Sequence, residues 1–308
     1  MIFSAGLSPA WQQILTFDTL QTGQVNRVRE AIWCASGKVI NVAVAAQTLG
    51  APVSLSSTIG GLSGDVIEQE LSQLGIHAAW VRTESTTRVC TTLLPAQGPT
   101  TELVEETPEI TEKELAQFFD QTLTYANVAD VVVFTGSQPK NVPPETFAQI
   151  MRQVHKKFVL DLRGPSLQFC LPFVPFLIKP NREELETTLG IKIQTEQELL
   201  AAMRRMNDGG AAWVVVSDGE NGLFVTSEED AYRLLPARVP TVNPIGCGDS
   251  LAAGIAVKLL EEEDVIKAVA FGMGAAANNA EQLLPVRLDP ERSRELADQV
   301  TIQEVSVP

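Results

Sequence analysis

Basic residues are scarce in this sequence. Its 308 residues include 23 Lys or Arg against 38 Asp or Glu, which gives a formal net charge of −15. A surface of this charge repels nucleic acid and anionic membranes, so we expect neither as a partner. Histidine is scarcer still, because only His77 and His155 occur, and this excludes a metal site built mainly from histidines.

Cysteine and long apolar runs are also in short supply. Cys34, Cys90, Cys170 and Cys247 are scattered without a C-x-x-C pair, as expected for reduced thiols in the cytosol. No apolar run reaches the length of a transmembrane helix, and the first ten residues lack the basic start of a signal peptide. We therefore expect a cytoplasmic protein.

Familiar nucleotide motifs are absent too. Residues 36–39, Ser-Gly-Lys-Val, fail the G-x-x-x-x-G-K-[ST] phosphate loop. Residues 272–277 match the dinucleotide pattern G-x-G-x-x-A, but they lie inside a helical pattern with no strand before them, so we reject a dinucleotide site. Any nucleotide chemistry must therefore use other groups.

The second half of the chain alternates between predicted helices and strands. Helices are expected at 112–125, 144–155, 182–189 and 195–208, and strands at 131–135, 158–162, 176–178 and 213–217. This order predicts an α/β fold with a mostly parallel sheet and helices on both faces.

Two early β-rich segments, 10–34 and 79–107, do not fit this alternation. The pattern of the first predicts a hairpin, because alternating apolar runs at 14–17 and 25–28 flank a polar turn at 21–24. We predict that both segments form one small sheet, a lid on a single α/β domain of residues 1–308. Trp11, Trp33 and Trp80 fall in or beside it, which predicts a packed contact surface, with a second subunit as one candidate.

Residues 240–258 give the strongest chemical signal. Two prolines predict an extended entry, Gly246 and Gly248 flank Cys247 in a tight turn, and a helical pattern starts at Asp249. Unpaired N–H groups at a helix start bind anions. Asp249 either compensates the helix dipole or takes a proton from a hydroxyl that attacks a phosphoryl group, and the residues alone leave both open.

Other polar residues lie near predicted helix starts. Asn181 and Glu184 suit either a Mg²⁺ ion held through water near phosphate or a helix capping box. Lys38 stands beside Asn41, and Arg88 lies in a lid segment. Each cation alone is an ordinary surface charge, but together Lys38 and Arg88 predict a site for a phosphate already on the substrate.

In their order and spacing these pieces resemble the ribokinase-like (PfkB) family of sugar kinases over essentially the whole chain. The resemblance rests on residues 245–249 (Ile-Gly-Cys-Gly-Asp), 179–184 (Lys-Pro-Asn-Arg-Glu-Glu) and 60–65 (Gly-Gly-Leu-Ser-Gly-Asp). Within the family the chain is most similar to the 1-phosphofructokinase and tagatose-6-phosphate kinase branch. The segments that indicate this branch are 26–28, 36–43, 87–88, 135–139 and 177–181.

The resemblance implies a ribokinase-like three-layer α/β fold with a β lid, and a kinase that uses ATP and Mg²⁺. It implies Asp249 as catalytic base, with Gly246, Cys247 and Gly248 as the anion hole. Residues implied at the nucleotide are Lys179, Asn181, Glu184, Ser217, Gly219, Gly222 and Asn278, with Asn181 and Glu184 organising Mg²⁺ through water. Residues implied at the acceptor are Gly37, Lys38, Asn41 and Arg88. A homodimer through the lids is common in such kinases.

The chain departs from the branch at four positions. Gln12 replaces an aspartate that contacts the acceptor, Cys90 replaces an asparagine, Cys247 replaces an alanine and Ser36 replaces a glycine. Gln12 is therefore our candidate for contact with the acceptor at this position, where a charged carboxylate is replaced by a neutral amide. A thiol at a helix start often has a lowered pKa, so one hypothesis is that oxidation of Cys247 blocks activity.

The expected function is ATP-dependent phosphorylation of a sugar phosphate of the fructose 1-phosphate or tagatose 6-phosphate type. One alternative is a kinase of the same fold that acts on an unphosphorylated sugar or a nucleoside. A second alternative is a non-catalytic sensor of sugar phosphates, which Gln12 and Cys90 allow but which has no need of Asp249 with Asn181 and Glu184.

Overall fold

The computed structural model describes residues 1–306, which form two β-sheets and the helices around them. The strands are β1 (Ile2–Ala5), β2 (Ala10–Thr19), β3 (Glu30–Ser36), β4 (Val53–Ile59), β5 (His77–Arg82), β6 (Val89–Gln97), β7 (Thr101–Val104), β8 (Val131–Thr135), β9 (Lys157–Asp161), β10 (Leu177–Ile178), β11 (Trp213–Ser217), β12 (Leu223–Thr226), β13 (Ala231–Leu235) and β14 (Thr301–Glu304). The α-helices are α1 (Lys38–Thr48), α2 (Gly61–Gln73), α3 (Glu112–Val128), α4 (Thr146–Met151), α5 (Gly164–Cys170), α6 (Arg182–Leu189), α7 (Glu196–Asp208), α8 (Cys247–Leu260), α9 (Val265–Ala280) and α10 (Pro290–Ala297).

The large sheet has the strand order β14-β13-β12-β11-β10-β9-β8-β1-β4-β5. Strands β11 to β5 in this order are parallel, and β12, β13 and β14 are added antiparallel at one edge. Strand β1 lies between β4 and β8. The strands that follow it in the chain are added first on one side of it (β4 and β5) and then on the other (β8 to β11), so the order of the sheet reverses at β1. In such sheets, ligands bind at the carboxyl ends of the strands near this reversal.

Both faces of the large sheet are covered, which makes the fold three-layered. Along β8, Val131 and Val133 belong to one hydrophobic core, while Val132 and Phe134 belong to the other. Because successive side chains of a strand point to opposite faces, a strand between two cores must be apolar throughout. The predicted fold class is confirmed.

The small sheet has the order β3-β2-β6-β7, and we call these four strands the lid. Strand β2 pairs antiparallel with β3 and parallel with β6. The predicted hairpin is therefore present, but its second strand is residues 30–36 and not the run at 25–28. Trp11 and Trp33 stack on it with ring centroids 6.0 Å apart.

One predicted lid boundary is wrong. Strand β5, with Trp80, pairs in parallel with β4 and forms the edge of the large sheet. Its outer position leaves most of its side chains half-buried or exposed, which gave it the pattern expected of a lid strand. The lid part of the predicted segment 79–107 therefore begins only at Val89.

Three elements were missing from the sequence prediction. Helix α5 has seven residues, and its first two are Gly and Pro. Strand β14 is exposed along its whole length and so shows no hydrophobic alternation. Helix α10 is short, with only Ser293 and Leu296 buried. Among the helices of residues 1–306, none has the length and apolarity needed to cross a bilayer.

Candidate active site

A tight turn precedes α8. Gly246 has φ 84° and is the N-cap, so the helix begins at Cys247, two residues before the predicted start. A Cβ at Gly246 would lie 3.1 Å from Val286 Cγ1, so glycine satisfies both the left-handed backbone and the close packing. The amide of Cys247 donates to the Pro244 carbonyl at 3.4 Å and that of Ser250 to Gly246 at 2.8 Å. The amides of Gly248 and Asp249 lie between these two at the start of the helix, a position where backbone N–H groups stabilise an anion.

Asp249 is buried in the first turn of α8. Its Oδ2 accepts a hydrogen bond from Asn41 Nδ2 at 2.7 Å, and Asn41 Oδ1 accepts one from the Ser36 hydroxyl at 3.2 Å. Burial raises the pKa of Asp249 to about 6, and nearby Asp161 adds to the shift, while Lys38 and the Asn41 hydrogen bond oppose it. A carboxylate with a pKa near neutrality suits a general base.

Asp161, at the carboxyl end of β9, is the residue that the sequence analysis missed. Its side chain is buried, with Lys179 Nζ 3.0 Å from Oδ1, Lys38 Nζ 3.2 Å from Oδ2 and the Thr135 hydroxyl 3.0 Å from Oδ2. Burial alone would raise the pKa of Asp161, but Lys179 and Lys38 lower it to about 2. A carboxylate that ends an apolar parallel strand was the available signal.

Lys38 lies between two carboxylates. Its Nζ is 3.2 Å from Asp161 Oδ2 and 3.2 Å from Glu184 Oε1. Burial alone would lower the pKa of Lys38, but Asp161, Glu184 and Asp249 raise it above its ordinary value. The ammonium therefore stays charged close to the predicted base.

The structure does not pair Lys38 with Arg88. The Arg88 guanidinium donates to the carbonyls of Ser8, Pro9 and Glu105 at 3.1, 3.3 and 3.0 Å. Among residues 1–306 the two cations share no hydrogen-bond or ion-pair partner. Arg88 joins the strand connections at the base of the lid, so a phosphate site between Lys38 and Arg88 stays a prediction.

Asn181 and Glu184 form a capping box at α6. The Glu184 amide donates to Asn181 Oδ1 at 2.7 Å, and the Asn181 amide donates to Glu184 Oε2 at 3.0 Å. Because Glu184 Oε1 also contacts Lys38, the capping box does not exclude a role in binding. Lys179 precedes this pair, and a Cβ at Gly248 would lie 3.8 Å from its Nζ, so the ammonium faces the turn before α8.

The other predicted nucleotide residues divide into two groups. Ser217 ends β11 and forms a β-bridge with Asn181, while Gly219 and Gly222 follow it with φ of 58° and 91°. Asn278 is turned to other partners, because its Oδ1 accepts hydrogen bonds from the Asp289 amide at 2.8 Å and from Gln282 at 3.2 Å. Contact between Asn278 and a nucleotide stays a prediction.

The lid contributes a row of neutral side chains. Gln12 is buried and lies in register between Cys34 and Cys90. Its amide nitrogen donates to the Thr92 hydroxyl at 2.7 Å. At the base of the lid, a Cβ on Gly37 (φ 92°) would lie 2.5 Å from the Ser8 carbonyl oxygen. Glycine is therefore required where these two backbone segments pass close to each other.

Asn279 was also missed, although its neighbour was selected. Its Nδ2 donates to the Ile245 carbonyl at 2.8 Å and to Cys247 Sγ at 3.3 Å, and its Oδ1 accepts from the Val286 amide at 2.7 Å.

The hypothesis of a lowered Cys247 pKa is wrong. Burial raises the pKa of this thiol, and the Asn279 hydrogen bond only partly opposes the shift.

Comparison with known proteins identifies relatives of the whole chain and of its fold. A tagatose-6-phosphate kinase from Staphylococcus epidermidis is 32% identical over 99% of this chain and 100% of its own length. Two solved structures share the fold: a possible 1-phosphofructokinase from Thermotoga maritima (19% identity, 99% of both chains, TM-score 0.91) and phosphofructokinase-2 from Escherichia coli with fructose 6-phosphate (23% identity, 96% of this chain and 98% of the other, TM-score 0.87). The model of the pfkB family of carbohydrate kinases matches residues 13–287, and the chain belongs to this family.

Proposed function

We propose that the protein transfers the γ-phosphoryl group of ATP to a hydroxyl of a ketohexose phosphate of the fructose 1-phosphate or tagatose 6-phosphate type. The observation that carries the proposal is Asp249, a buried carboxylate with a pKa of about 6 at the start of α8. The relative named as a tagatose-6-phosphate kinase supports a phosphorylated acceptor. We also place the reaction in the cytoplasm, in agreement with the scattered thiols.

In this proposal Asp249 takes the proton of the acceptor hydroxyl. The sugar oxygen then bonds to the γ-phosphorus, the bond from that phosphorus to the bridging oxygen breaks, and ADP leaves. The amides of Gly246 and Gly248 stabilise charge on the group in transit, and Lys38 and Lys179 add positive charge beside it. Because Asn41 donates to Asp249, its role is to hold the base rather than only to contact the acceptor.

The donor groups fit Mg²⁺ bound together with the phosphates of ATP. The carboxylates of Asp161 and Glu184 lie close together, because both contact the ammonium of Lys38. Mg²⁺ prefers such hard oxygen donors. Among the described residues no group of three or more His, Cys, Asp or Glu side chains could hold a metal ion by itself, and Mg²⁺ beside a nucleotide takes several of its ligands from waters and phosphate oxygens. Asp161 and Glu184, with Asn181, would hold the ion, which would supply positive charge against the phosphates.

The acceptor is placed between Asp249 and the lid. The neutral Gln12 would meet its hydroxyls, the backbone of Gly37 would lie beside it, and Arg88 would bind its phosphate by exchanging carbonyl partners for phosphate oxygens. The lid excludes water from the reaction.

We further propose a homodimer that forms through the lids. Trp33, Leu103 and Val104 are 44%, 56% and 58% exposed on the lid strands β3 and β7. These residues lie on the two edge strands of the lid, and exposed apolar side chains of this kind are available to an interaction surface. Light scattering or sedimentation of the wild type and of Trp33→Glu tests this, and a monomeric wild type would contradict it.

The function is tested by an ADP-release assay with ATP and Mg²⁺. The acceptors are fructose 1-phosphate, fructose 6-phosphate, tagatose 6-phosphate, and unphosphorylated sugars and nucleosides. Turnover on a ketohexose phosphate supports the proposal. Turnover only on unphosphorylated acceptors would contradict it and move the activity to the alternative kinase, and ATP binding without any turnover would favour a sensor.

A further inference from the structure

Glu70, on α2, contacts two segments that are far apart in the chain. Its Oε2 accepts a hydrogen bond from the Ala35 amide at 2.7 Å, and its Oε1 lies 2.5 Å from Arg287 Nη2. Ala35 is near the end of the lid edge strand β3, and Arg287 lies in the connection between α9 and α10. The Arg287 and Glu70 side chains are 19% and 21% exposed, so solvent screens this ion pair only in part.

From Arg287 the contacts continue to the turn before α8. The amide of the preceding residue, Val286, donates to Asn279 Oδ1, and Asn279 Nδ2 donates to the Ile245 carbonyl. Val286 is buried with φ 57°, a left-handed conformation that β-branched residues rarely adopt. The surrounding contacts therefore hold this connection in a strained shape beside Gly246.

From Ala35 the contacts continue to the base. The next residue, Ser36, donates to Asn41, and Asn41 donates to Asp249. Strand β3 is at the edge of the lid, and Glu70 covers a backbone N–H there that no neighbouring strand pairs. Glu70 is thus connected to the base through residues 35, 36 and 41, and Arg287 is connected to the anion-binding turn through residues 286 and 279.

We propose that Glu70 and Arg287 are positioning residues that couple the lid to the turn before α8. The proposal rests on the proposed function, because the coupling acts when the acceptor binds under the lid. Without the pair, the lid and the turn move independently, so acceptor binding weakens. Water then replaces the sugar hydroxyl more often as the attacking group, which gives ADP and inorganic phosphate.

Kinetics test the coupling with Glu70→Gln, Arg287→Gln, the double variant and the control Glu68→Gln. Glu68 is on the same helix and pairs with Arg82, away from the lid and from the connection that holds Arg287. Each single change is expected to raise KM for the sugar phosphate about tenfold, with little change in kcat, and to raise ATP hydrolysis without acceptor relative to kinase turnover. The double variant should lose no more than either single variant, because the same interaction is already broken.

Hydrogen exchange gives a readout that does not depend on turnover. In Glu70→Gln and Arg287→Gln, the amides of β3 and those of residues 283–288 should both exchange about tenfold faster than in wild type, at unchanged melting temperature. Faster exchange in only one of the two segments, additive kinetic losses, or equal effects of Glu68→Gln would overturn the coupling. If wild type turns over no sugar phosphate, the proposed function fails, while the exchange result still decides whether the two segments are coupled. Arg287→Lys keeps the charge and should restore part of the wild-type behaviour.

Discussion

The polar side chains at the carboxyl ends of the large-sheet strands differ in charge from those in the row of neutral side chains of the lid. At the sheet edge, Asp161 and Asp249 are buried carboxylates that lie close to lysines. In the lid the row of Cys34, Gln12 and Cys90 is neutral. Charge that develops on a phosphoryl group requires fixed opposing charges, whereas hydroxyls of a sugar need only hydrogen bonds. We therefore expect changes at the sheet edge to alter turnover and stability, and changes in the lid to alter acceptor KM.

The largest effect is expected from Asp249→Asn. Loss of the base should lower kcat by about 10³-fold or more while ATP binding, measured by calorimetry, is kept. The new side chain can still accept the hydrogen bond from Asn41, so the site keeps its shape. Turnover within tenfold of wild type would refute the assignment of Asp249.

The same variant should be more stable than wild type. A folded-state pKa of about 6, above the usual 3.8, means that stability from this carboxyl is greatest below pH 3.8 and is lost as the pH rises through 6. At neutral pH the neutral amide avoids the buried charge, so Asp249→Asn should gain at most about 3 kcal/mol. Chemical denaturation at pH 7.5 measures this gain, and a loss of stability would contradict the sign.

Asp161→Asn is expected to change stability in the opposite direction. With a folded-state pKa of about 2, below the usual 3.8, this carboxylate stabilises the fold above pH 3.8 and loses that effect as the pH falls towards 2. Removing its charge leaves the buried Lys179 without its carboxylate partner, which should cost about 3 kcal/mol and also lower kcat. The control Thr135→Val removes only one hydrogen bond and should cost about 1 kcal/mol.

A smaller effect is expected in the lid from Gln12→Ala. KM for the sugar phosphate should rise about fivefold, because one neutral hydrogen bond contributes about 1 kcal/mol, while kcat and KM for ATP stay close to wild type. Thr92→Val removes the partner of Gln12 without touching the acceptor and should have a weaker effect. A drop in kcat with unchanged KM would show that the lid acts in the chemical step.

The smallest effect is expected from Cys247→Ala. Burial raises the pKa of this thiol, which makes it a poor nucleophile toward peroxide, and alanine fits the same space. Activity and its loss in hydrogen peroxide should therefore match those of wild type. A variant that resists peroxide while wild type is inactivated would restore the oxidation hypothesis.

The layered fold was predictable because its central strands are short apolar runs. The bounds predicted for β8 and β11 are those observed, since each of these strands is largely buried by cores on both faces. Helix α6 was also predicted with its observed bounds, because Asn181 and Glu184 form the capping box that the sequence allowed.

The partners of the charged residues were not predictable. Lys38 and Asp161 are 123 positions apart in the chain, and only the meeting of a helix start with a strand end brings them together. Strand β5 was assigned to the wrong sheet for a similar reason. Its pairing with β4 joins segments that are distant in the chain, and the sequence pattern of β5 alone does not reveal this partner. Local sequence identifies the elements and the polar residues, while the sheet order determines which of them meet.

The central claim is that Asp249 acts as the base with a pKa raised by burial, and the pH dependence of kcat/KM for the sugar phosphate tests it most directly. With ATP saturating, kcat/KM should be constant above about pH 7 and should fall tenfold per pH unit below about pH 6, as the carboxylate gains a proton. The residual activity of Asp249→Asn should lack this acidic limb. A wild-type profile that stays flat down to about pH 4.5, or the same limb in Asp249→Asn, would contradict the account.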